Sequence, residues 1–210
     1  MNDAASQELI ELIIHGQEER YLDYKASMPW EGDNKAIIVR TILSMANLRG
    51  GGYIVIGVED QTFKPVGMQL KHIESFSHDK IAPIVNSHAE PEVNISITPV
   101  PYNGMDFIVI QVQEFADIPV LSKGRTMYVK SEPYLQAGKL YIRSRRMNET
   151  REVQSRTDMR DVIDLAIDKG IRRSAERLRI WMEEMGIDFN RAAITPTDDE
   201  QFDLQLREMG

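Results

Sequence analysis

Three carboxylates and a lysine lie within the first third of the sequence, at Glu18, Asp23, Asp60 and Lys25. Carboxylate oxygens are the ligands that Mg²⁺ and Mn²⁺ prefer, and such an ion stabilises charge on a phosphodiester and lowers the pKa of an attacking water. Asp23 lies in a predicted short strand and Asp60 follows the next one, so neighbouring strand ends could bring the carboxylates together. Spacing alone favours the other interpretation, in which these acids cap turns and form salt bridges with lysines.

A glycine turn, Gly50-Gly51-Gly52, lies between a predicted helix and a predicted strand. Exposed backbone N–H groups in such a turn can hold a phosphate. A helix must also end before a buried strand, and glycine ends helices readily because it adopts the left-handed conformation. The structural role is the favoured one, since the sequence has no Gly-Lys-Ser/Thr motif and a P-loop ATPase is therefore unsupported.

A cluster of basic and aromatic residues follows near the middle of the chain. Alternation along a strand would place Arg143 and Arg145 on one face with Tyr141 beside them, and Arg146 follows directly. Arginines next to an aromatic ring suit contacts with a phosphate backbone and stacking on bases. Unrelated surface arginines are an equally acceptable explanation.

The net charge of −8 argues against a protein that coats DNA without specificity. The charge is unevenly distributed, however. Residues 123–179 carry 15 Lys and Arg against 8 acidic residues, whereas residues 180–210 carry 2 against 8. A phosphate backbone responds to the local field, so an acidic protein can still present a basic face. A solvated helix surface with mixed charges explains the same pattern.

The periodicity of apolar residues predicts the elements that position these groups. Helical spacing occurs over residues 4–15, over 33–46, near 73–85 and over 156–185, where Val162, Ile163, Ala166, Leu178 and Trp181 are the predicted buried positions. Strands are predicted over residues 21–25, 53–58, 93–100, 107–112, 126–130 and 139–144, with a hairpin turn at Asn103-Gly104.

The predicted fold class is therefore mixed α/β, with a single sheet of about six strands flanked by helices and a helical C-terminal extension. We expect one domain over residues 1–150, a helical extension over 151–185, and an acidic tail over 186–210 that is mobile. A chain of 210 residues is long enough for one full core.

Composition excludes several classes of protein. The absence of cysteine excludes disulfides, thiol catalysis and cysteine-type zinc sites. No apolar run approaches the roughly 20 residues that a membrane span needs, and the first residues lack the features of a secretory signal. We therefore expect a cytoplasmic protein that does not associate with membranes.

Two separated motifs resemble the Schlafen AlbA-type domain family. The first runs from Glu18 through Leu22-Asp23-Tyr24-Lys25 to Ala46-Asn47-x-x-Gly50-Gly51-Gly52 and Ile56-Gly57-Val58-Glu59-Asp60. The second is Gly138-x-x-Tyr141-x-Arg143, which is similar to the closing strand of the family. Together the motifs cover residues 5–147 in the order that the family has.

The resemblance implies an α/β fold, association with RNA or DNA, and in many relatives ATP binding. In the Schlafen nucleases three carboxylates bind a divalent metal and cleave structured RNA such as tRNA. Transferred to this sequence, the catalytic and metal-binding acids are Glu18, Asp23 and either Asp60 or Glu59, with Mg²⁺ or Mn²⁺ as cofactor. Lys25, Tyr141, Arg143, Arg145 and Arg146 would contact nucleic acid, and Gly50, Gly51 and Gly52 would contact phosphate.

Two departures from the family bear on this hypothesis. Asp23 stands where the family usually has glutamate, so its carboxylate reaches about one methylene less far, and a loosely held ligand site often fails. Larger family members also pair two such lobes in one chain, whereas this chain has one. A two-lobed cleft would require a homo-oligomer, and a homodimer is the expected form.

The leading hypothesis is a nucleic-acid-binding Schlafen-type protein that acts as a metal-dependent endoribonuclease on structured RNA such as tRNA. The alternative is a non-catalytic module that binds DNA or ATP and in which the acids are structural. A third, weaker hypothesis is an adaptor that binds a protein partner through the helix of residues 156–185.

Overall fold

The computed structural model of the protein describes residues 3–145 and 148–186; Arg146 and the predicted acidic tail beyond residue 186 therefore lie outside the described residues. The chain divides into two units, Met1–Ala166 and Ile167–Gly210. The elements follow in the order α1 (Asp3–Ile14), β1 (Leu22–Lys25), α2 (Gly32–Ala46), β2 (Gly52–Ile56), α3 (Leu70–Ile73), α4 (His78–Ser87), β3 (Ala89–Glu90), β4 (Ile95–Tyr102), β5 (Met105–Val112), β6 (Leu121–Ser122), β7 (Met127–Val129), β8 (Glu132–Leu135), β9 (Tyr141–Arg143), β10 (Thr150–Glu152) and α5 (Arg156–Glu184).

The main sheet has four strands in the order β1-β2-β5-β4. Strands β1 and β2 are parallel, so the chain must cross over between them, and α2 makes that crossover. The other pairs, β2 with β5 and β5 with β4, are antiparallel. Strand β2 is therefore interior, which agrees with the near-continuous apolar run predicted for it.

Each face of this sheet carries its own apolar cluster, because successive side chains of a strand point to opposite faces. Ile54 and Ile56 belong to the cluster that includes the buried face of α2, whereas Val55 belongs to the cluster on the other face. Ile13 of α1 is fully buried in that second cluster. The two helices thus cover opposite sides of the sheet.

The hairpin between β4 and β5 is confirmed. Asn103 and Gly104 have φ angles of 49° and 73°, and Tyr102 pairs with Met105 across the turn. Two consecutive positive φ values characterise the turn type that Asn-Gly favours, because its twist matches that of the flanking strands.

The mixed α/β class is also confirmed, but the strands of residues 3–145 and 148–186 are divided among four sheets. Besides the main sheet there are three pairs, β3 with β6, β7 with β8, and β9 with β10. These are short strands of two to four residues. Strands β7 to β10 contact α2, so they pack on that helix and do not extend the main sheet.

Helix α5 confirms the predicted extension, while its buried positions differ from those predicted. Ser155 caps it, with its Oγ accepting a hydrogen bond from the Asp158 backbone N at 3.1 Å. Val162 is buried as predicted, but Ile163, Leu178 and Trp181 are exposed. Val162 and Leu165, in the first turns of the helix, belong to the apolar core that includes α2. Within the described ranges, no helix has the length and apolar character needed to cross a bilayer.

Candidate functional site

Asp23 is the centre of a buried group of charges. Its Oδ1 accepts a hydrogen bond from Arg143 Nη1 at 2.8 Å, and its Oδ2 accepts one from Lys25 Nζ. Asp23 and Lys25 are two residues apart on β1, so they share a face of the strand. The Asp23 side chain is only 6% exposed, which means that both cations replace water as its partners.

Glu18 and Asp60 border the same lysine. Glu18 Oε1 accepts a hydrogen bond from the Tyr24 backbone N at 3.2 Å, and Asp60 Oδ1 accepts one from Ala26 N at 3.1 Å. Burial alone would lower the pKa of Lys25, but the charge and hydrogen bond of Asp23, followed by the charges of Asp60 and Glu18, raise it above its ordinary value. The charges of the three predicted acids thus act on one ammonium group, and a site that they share with a cation stays a prediction. We call Glu18, Asp23, Lys25 and Asp60 the charged cluster.

The charged cluster does not fit a divalent cation in this arrangement. Both oxygens of Asp23 already accept hydrogen bonds from cationic groups. Among residues 3–145 and 148–186, no three His, Asp or Glu side chains are placed to hold a metal ion. Asp60 is exposed beside Glu59, whose Oε2 accepts a hydrogen bond from the Thr62 hydroxyl. The metal and catalytic roles of these acids remain predictions.

The pKa of Glu18 is raised above its ordinary 4.5, first by burial and then by the charge of Asp23. The folded state therefore binds this proton more tightly than the unfolded chain does, so the ionised carboxylate lowers stability at neutral pH. This loss of stability disappears as the pH falls below the ordinary pKa of glutamate, because the carboxyl group is then protonated in both the folded and the unfolded state.

We expect Glu18→Gln to increase the free energy of unfolding at pH 7, because the amide oxygen can still accept the Tyr24 hydrogen bond while the half-buried charge is removed. The difference from wild type should shrink as the pH is lowered toward 4. Urea unfolding at several pH values measures it. A variant less stable than wild type at pH 7 would contradict the argument.

Arg143 and Tyr141 do not form the exposed face that alternation predicts, and this is a correction. Arg143 is 1% exposed and Tyr141 is 3% exposed. The Tyr141 hydroxyl accepts a hydrogen bond from the Gln136 backbone N at 2.9 Å. Strand β9 ends at Arg143, so alternation stops before Arg145, which is 65% exposed. Asp23 neutralises the buried guanidinium, which explains how an arginine can lie in the core.

The glycine turn is occupied by internal contacts. The Gly50 N–H donates to Glu114 Oε2 at 2.7 Å, and the Gly51 N–H donates to the Leu48 carbonyl at 2.9 Å. A Cβ on Gly51 would lie 2.0 Å from the Val112 carbonyl oxygen, and Gly52 is already part of β2. The turn thus lets two backbone segments approach closely, which agrees with the structural role that the sequence favours; contact of Gly50, Gly51 and Gly52 with phosphate stays a prediction.

Asn47, from the same motif, also has a structural role. Its Nδ2 donates to the carbonyls of Leu43, Val120 and Tyr141, and its Oδ1 accepts from Val120 N at 2.8 Å. The amide therefore joins the end of α2 to two later segments of the chain. The position of Asn47 within the motif did not indicate that its side chain joins these segments.

An arginine-lined groove lies beside the buried pair of Arg143 and Asp23. Arg20 Nε donates to the Arg143 carbonyl at 3.0 Å, and Arg143 Nε donates to the Arg20 carbonyl at 3.2 Å, so Arg20 borders both regions. Two adjoining cavities share Arg145, Asp161 and Asp164. We call this surface the arginine groove; the arginines that line it are Arg20, Arg49, Arg145, Arg156 and Arg160.

Asp161 holds two of these arginines. Its carboxylate accepts hydrogen bonds from Arg145 Nε and Nη2 at 2.7 and 2.6 Å, and Arg20 Nη2 lies 3.2 Å from its Oδ2. Of the groove arginines, only Arg145 belongs to the predicted site. The basic excess of residues 123–179 includes Arg156 and Arg160, but Arg20 and Arg49 have no signal in the sequence that links them to the groove.

No curated protein matches the sequence. The fold is similar to the DIP2311 protein from Corynebacterium diphtheriae, with 16% identity, a TM-score of 0.46, and coverage of 71% of this chain and 26% of that one. It is also similar to the N-terminal domain of a RecG-related protein from Nitrosomonas europaea, with 16% identity, a TM-score of 0.39, and coverage of 72% and 95%.

The chain spans about a quarter of the length of the first of these proteins. The family comparison is more informative. The model described as Schlafen, AlbA_2 matches residues 18–152, which include the charged cluster, the glycine turn, Asn47 and Arg143. Because this match covers more than half of the sequence, the chain belongs to the Schlafen AlbA_2 family.

Proposed function

We propose that this protein binds nucleic acid through the arginine groove and that its charged cluster is structural. The observation that carries the proposal is the set of five arginines that line the groove. Membership in the Schlafen AlbA_2 family supports a role related to nucleic acid. The proposal corresponds to the non-catalytic alternative from the sequence.

The local charge of the groove suits a polyanion although the whole chain is acidic. Five arginines and two aspartates line the groove, in a chain with a net charge of −8. The two aspartates offset only part of this charge. A concave surface with an excess of one charge attracts the opposite charge, and arginine binds phosphate oxygens in a forked geometry. The groove therefore supports contacts with a phosphate backbone, which position a ligand without reading its sequence.

The charged cluster supports the structural interpretation of the acids. Arg143 on β9 and Lys25 on β1 share Asp23, which links the closing strand of the domain to the main sheet. A catalytic carboxylate needs an oxygen that can reach a ligand, whereas Asp23 is nearly inaccessible. Its role in the proposal is to hold the two strands together.

Fluorescence anisotropy with labelled 20-mers of RNA and DNA, single- and double-stranded, tests binding. We expect affinity that falls steeply with salt, by about 0.9 in log K per unit of log salt concentration for each phosphate contacted on a duplex. Comparing RNA with DNA identifies the preferred ligand. Absence of binding to all four ligands at low salt would contradict the proposal.

A metal-dependent endoribonuclease is the second candidate, and one observation favours it. The charges of Asp23, Asp60 and Glu18 all act on Lys25, which supports a common location for the three predicted acids. The test is incubation with total tRNA and Mn²⁺, with Asp60→Ala as the matched variant. Cleavage by wild type that this variant loses would favour the nuclease, whereas absence of cleavage, or equal cleavage by both, would leave only the binding role.

A further inference from the structure

The arginine groove also contains an acceptor for hydrogen bonds. Asp161 and Asp164 line both of the cavities that form the groove. The Asp161 carboxylate already accepts hydrogen bonds from Arg145 and Arg20. Asp164 is exposed, and its carboxylate forms no ion pair or hydrogen bond with any group in residues 3–145 and 148–186. Its oxygens are therefore available to a ligand in the groove.

The position of Asp164 on α5 places it on the side of the helix that lines the groove. At 3.6 residues per turn, the five groove residues of α5 lie within an arc of about 140°. Val162 and Leu165, which are buried, fix this part of the helix against the core. The five groove residues are Arg156, Thr157, Arg160, Asp161 and Asp164.

Membership in the family does not assign a role to Asp164. The model described as Schlafen, AlbA_2 matches residues 18–152, and α5 begins at Arg156. A property that depends on Asp164 therefore belongs to this chain and has to be argued from the groove itself.

Arginines lie on both sides of Asp164. Because Asp164 lines both cavities, it lies where they meet; one cavity adds Arg20 and Arg49, and the other adds Arg156 and Arg160. A strand of nucleic acid repeats phosphate, sugar and phosphate in the same way. When two successive phosphates contact the arginines on the two sides, the sugar between them lies beside Asp164.

An ionised carboxylate only accepts hydrogen bonds, so it needs a donor in the ligand. The ribose of RNA supplies one in its 2′-hydroxyl, which is the group that lets a protein distinguish RNA from DNA. Deoxyribose has no donor at that position, and the Asp164 charge then only repels the neighbouring phosphates. We infer that Asp164 makes the groove select RNA over DNA by accepting a hydrogen bond from a ribose 2′-hydroxyl. This role rests on the proposed function, since it requires nucleic acid in the groove.

Fluorescence anisotropy with RNA and 2′-fluoro RNA duplexes of one sequence tests the role of the hydroxyl. The fluorine keeps the sugar conformation of RNA but cannot donate a hydrogen bond, so the two ligands differ in the donor and not in helix shape. We expect wild type to bind RNA about tenfold more tightly, the lower end of the effect of a hydrogen bond to a charged group, because Asp164 is exposed.

Variants of Asp164 assign the preference to this side chain. Asp164→Ala should bring the ratio of the two affinities close to one and raise the affinity for 2′-fluoro RNA, since a repulsive charge is removed. Asp164→Asn keeps an acceptor oxygen and should retain part of the preference. Asp106→Ala, which removes an exposed carboxylate that lines neither cavity, is the matched control and should leave the ratio unchanged. Circular dichroism checks that each variant is folded.

The possible failures are distinguishable. If wild type binds neither ligand at low salt, the proposed function fails and the role of Asp164 fails with it. If wild type binds both ligands equally, or if Asp164→Ala keeps the preference for RNA, the groove still binds nucleic acid but Asp164 does not select the sugar. If Asp164→Ala raises both affinities by the same factor, Asp164 is only a repulsive surface charge, and the inference is overturned.

Discussion

Replacing Arg143 with alanine is expected to lower the free energy of unfolding by about 3–5 kcal/mol, the usual effect of removing one partner of a buried ion pair. The guanidinium donates to Asp23 at 2.8 Å and to the carbonyls of Arg20 and Glu19 at 3.2 and 3.4 Å. Its loss leaves a nearly inaccessible carboxylate with Lys25 alone, together with two carbonyls that lose a donor. Because domains are stable by only about 5–15 kcal/mol, this change is a large share of the total.

Urea unfolding measures the free energies of unfolding of Arg143→Ala and Arg145→Ala, which can then be compared. Arg145 also belongs to an ion pair, but it is 65% exposed, so its removal should change stability by about 1 kcal/mol or less. Combining Arg143→Ala with Asp23→Asn should reduce stability by less than the sum of the single effects, since the two groups interact directly. Equal, small effects of Arg143→Ala and Arg145→Ala would contradict a structural role for the buried pair.

Sequence patterns predicted those elements of the fold that depend on residues close together in the chain, such as turns and helix ends. The Asn103-Gly104 turn requires two positive φ values, and few residues tolerate them. The hairpin could therefore be predicted from these two residues. The glycines after α2 were likewise predictable as an end to that helix. The parallel pairing of β1 with β2 places Lys25 opposite Ile56, four residues before Asp60, and Asp60 Oδ1 accepts a hydrogen bond from the Ala26 backbone N.

The burial of Arg143 could not be predicted from its neighbours. Its partner, Asp23, lies 120 residues earlier in the chain, and alternation along a strand states only which residues share a face. Which face is buried depends on the packing of β9 against α2, which the sequence of β9 does not contain. The same limitation explains Lys25, whose position among the acids depends on three separate segments.

On α5 the error has the other direction, because apolar residues that were predicted to be buried are exposed. Helical periodicity predicted that Leu178 and Trp181 are buried, whereas both are exposed. It did not state what covers that face, and within the described residues the covering layer is absent from this chain. Helical periodicity therefore identifies which apolar residues share a face, but it does not determine whether that face is buried.

Replacing both Arg145 and Arg160 with alanine is expected to weaken binding of nucleic acid by roughly 30-fold at 0.15 M salt, if each arginine neutralises one phosphate. The slope of log K against log salt should also decrease by about 1.8, since two fewer counterions are released. Anisotropy titrations at several salt concentrations measure both quantities. Arg125→Ala, an exposed arginine that does not line the groove, is the matched control and should change neither.

Asp161→Asn is expected to change binding in the other direction. The Asp161 carboxylate occupies Arg20 and Arg145, in the way that a phosphate would. Removing its charge leaves both arginines in place and raises the positive potential of the groove, so affinity and the salt slope should increase. If the ion pairs served only to hold α5 in place, loss of either partner would weaken binding or leave it unchanged. Opposite effects of changing Arg145 and Asp161, two partners in one ion pair, therefore distinguish a binding surface from a structural contact.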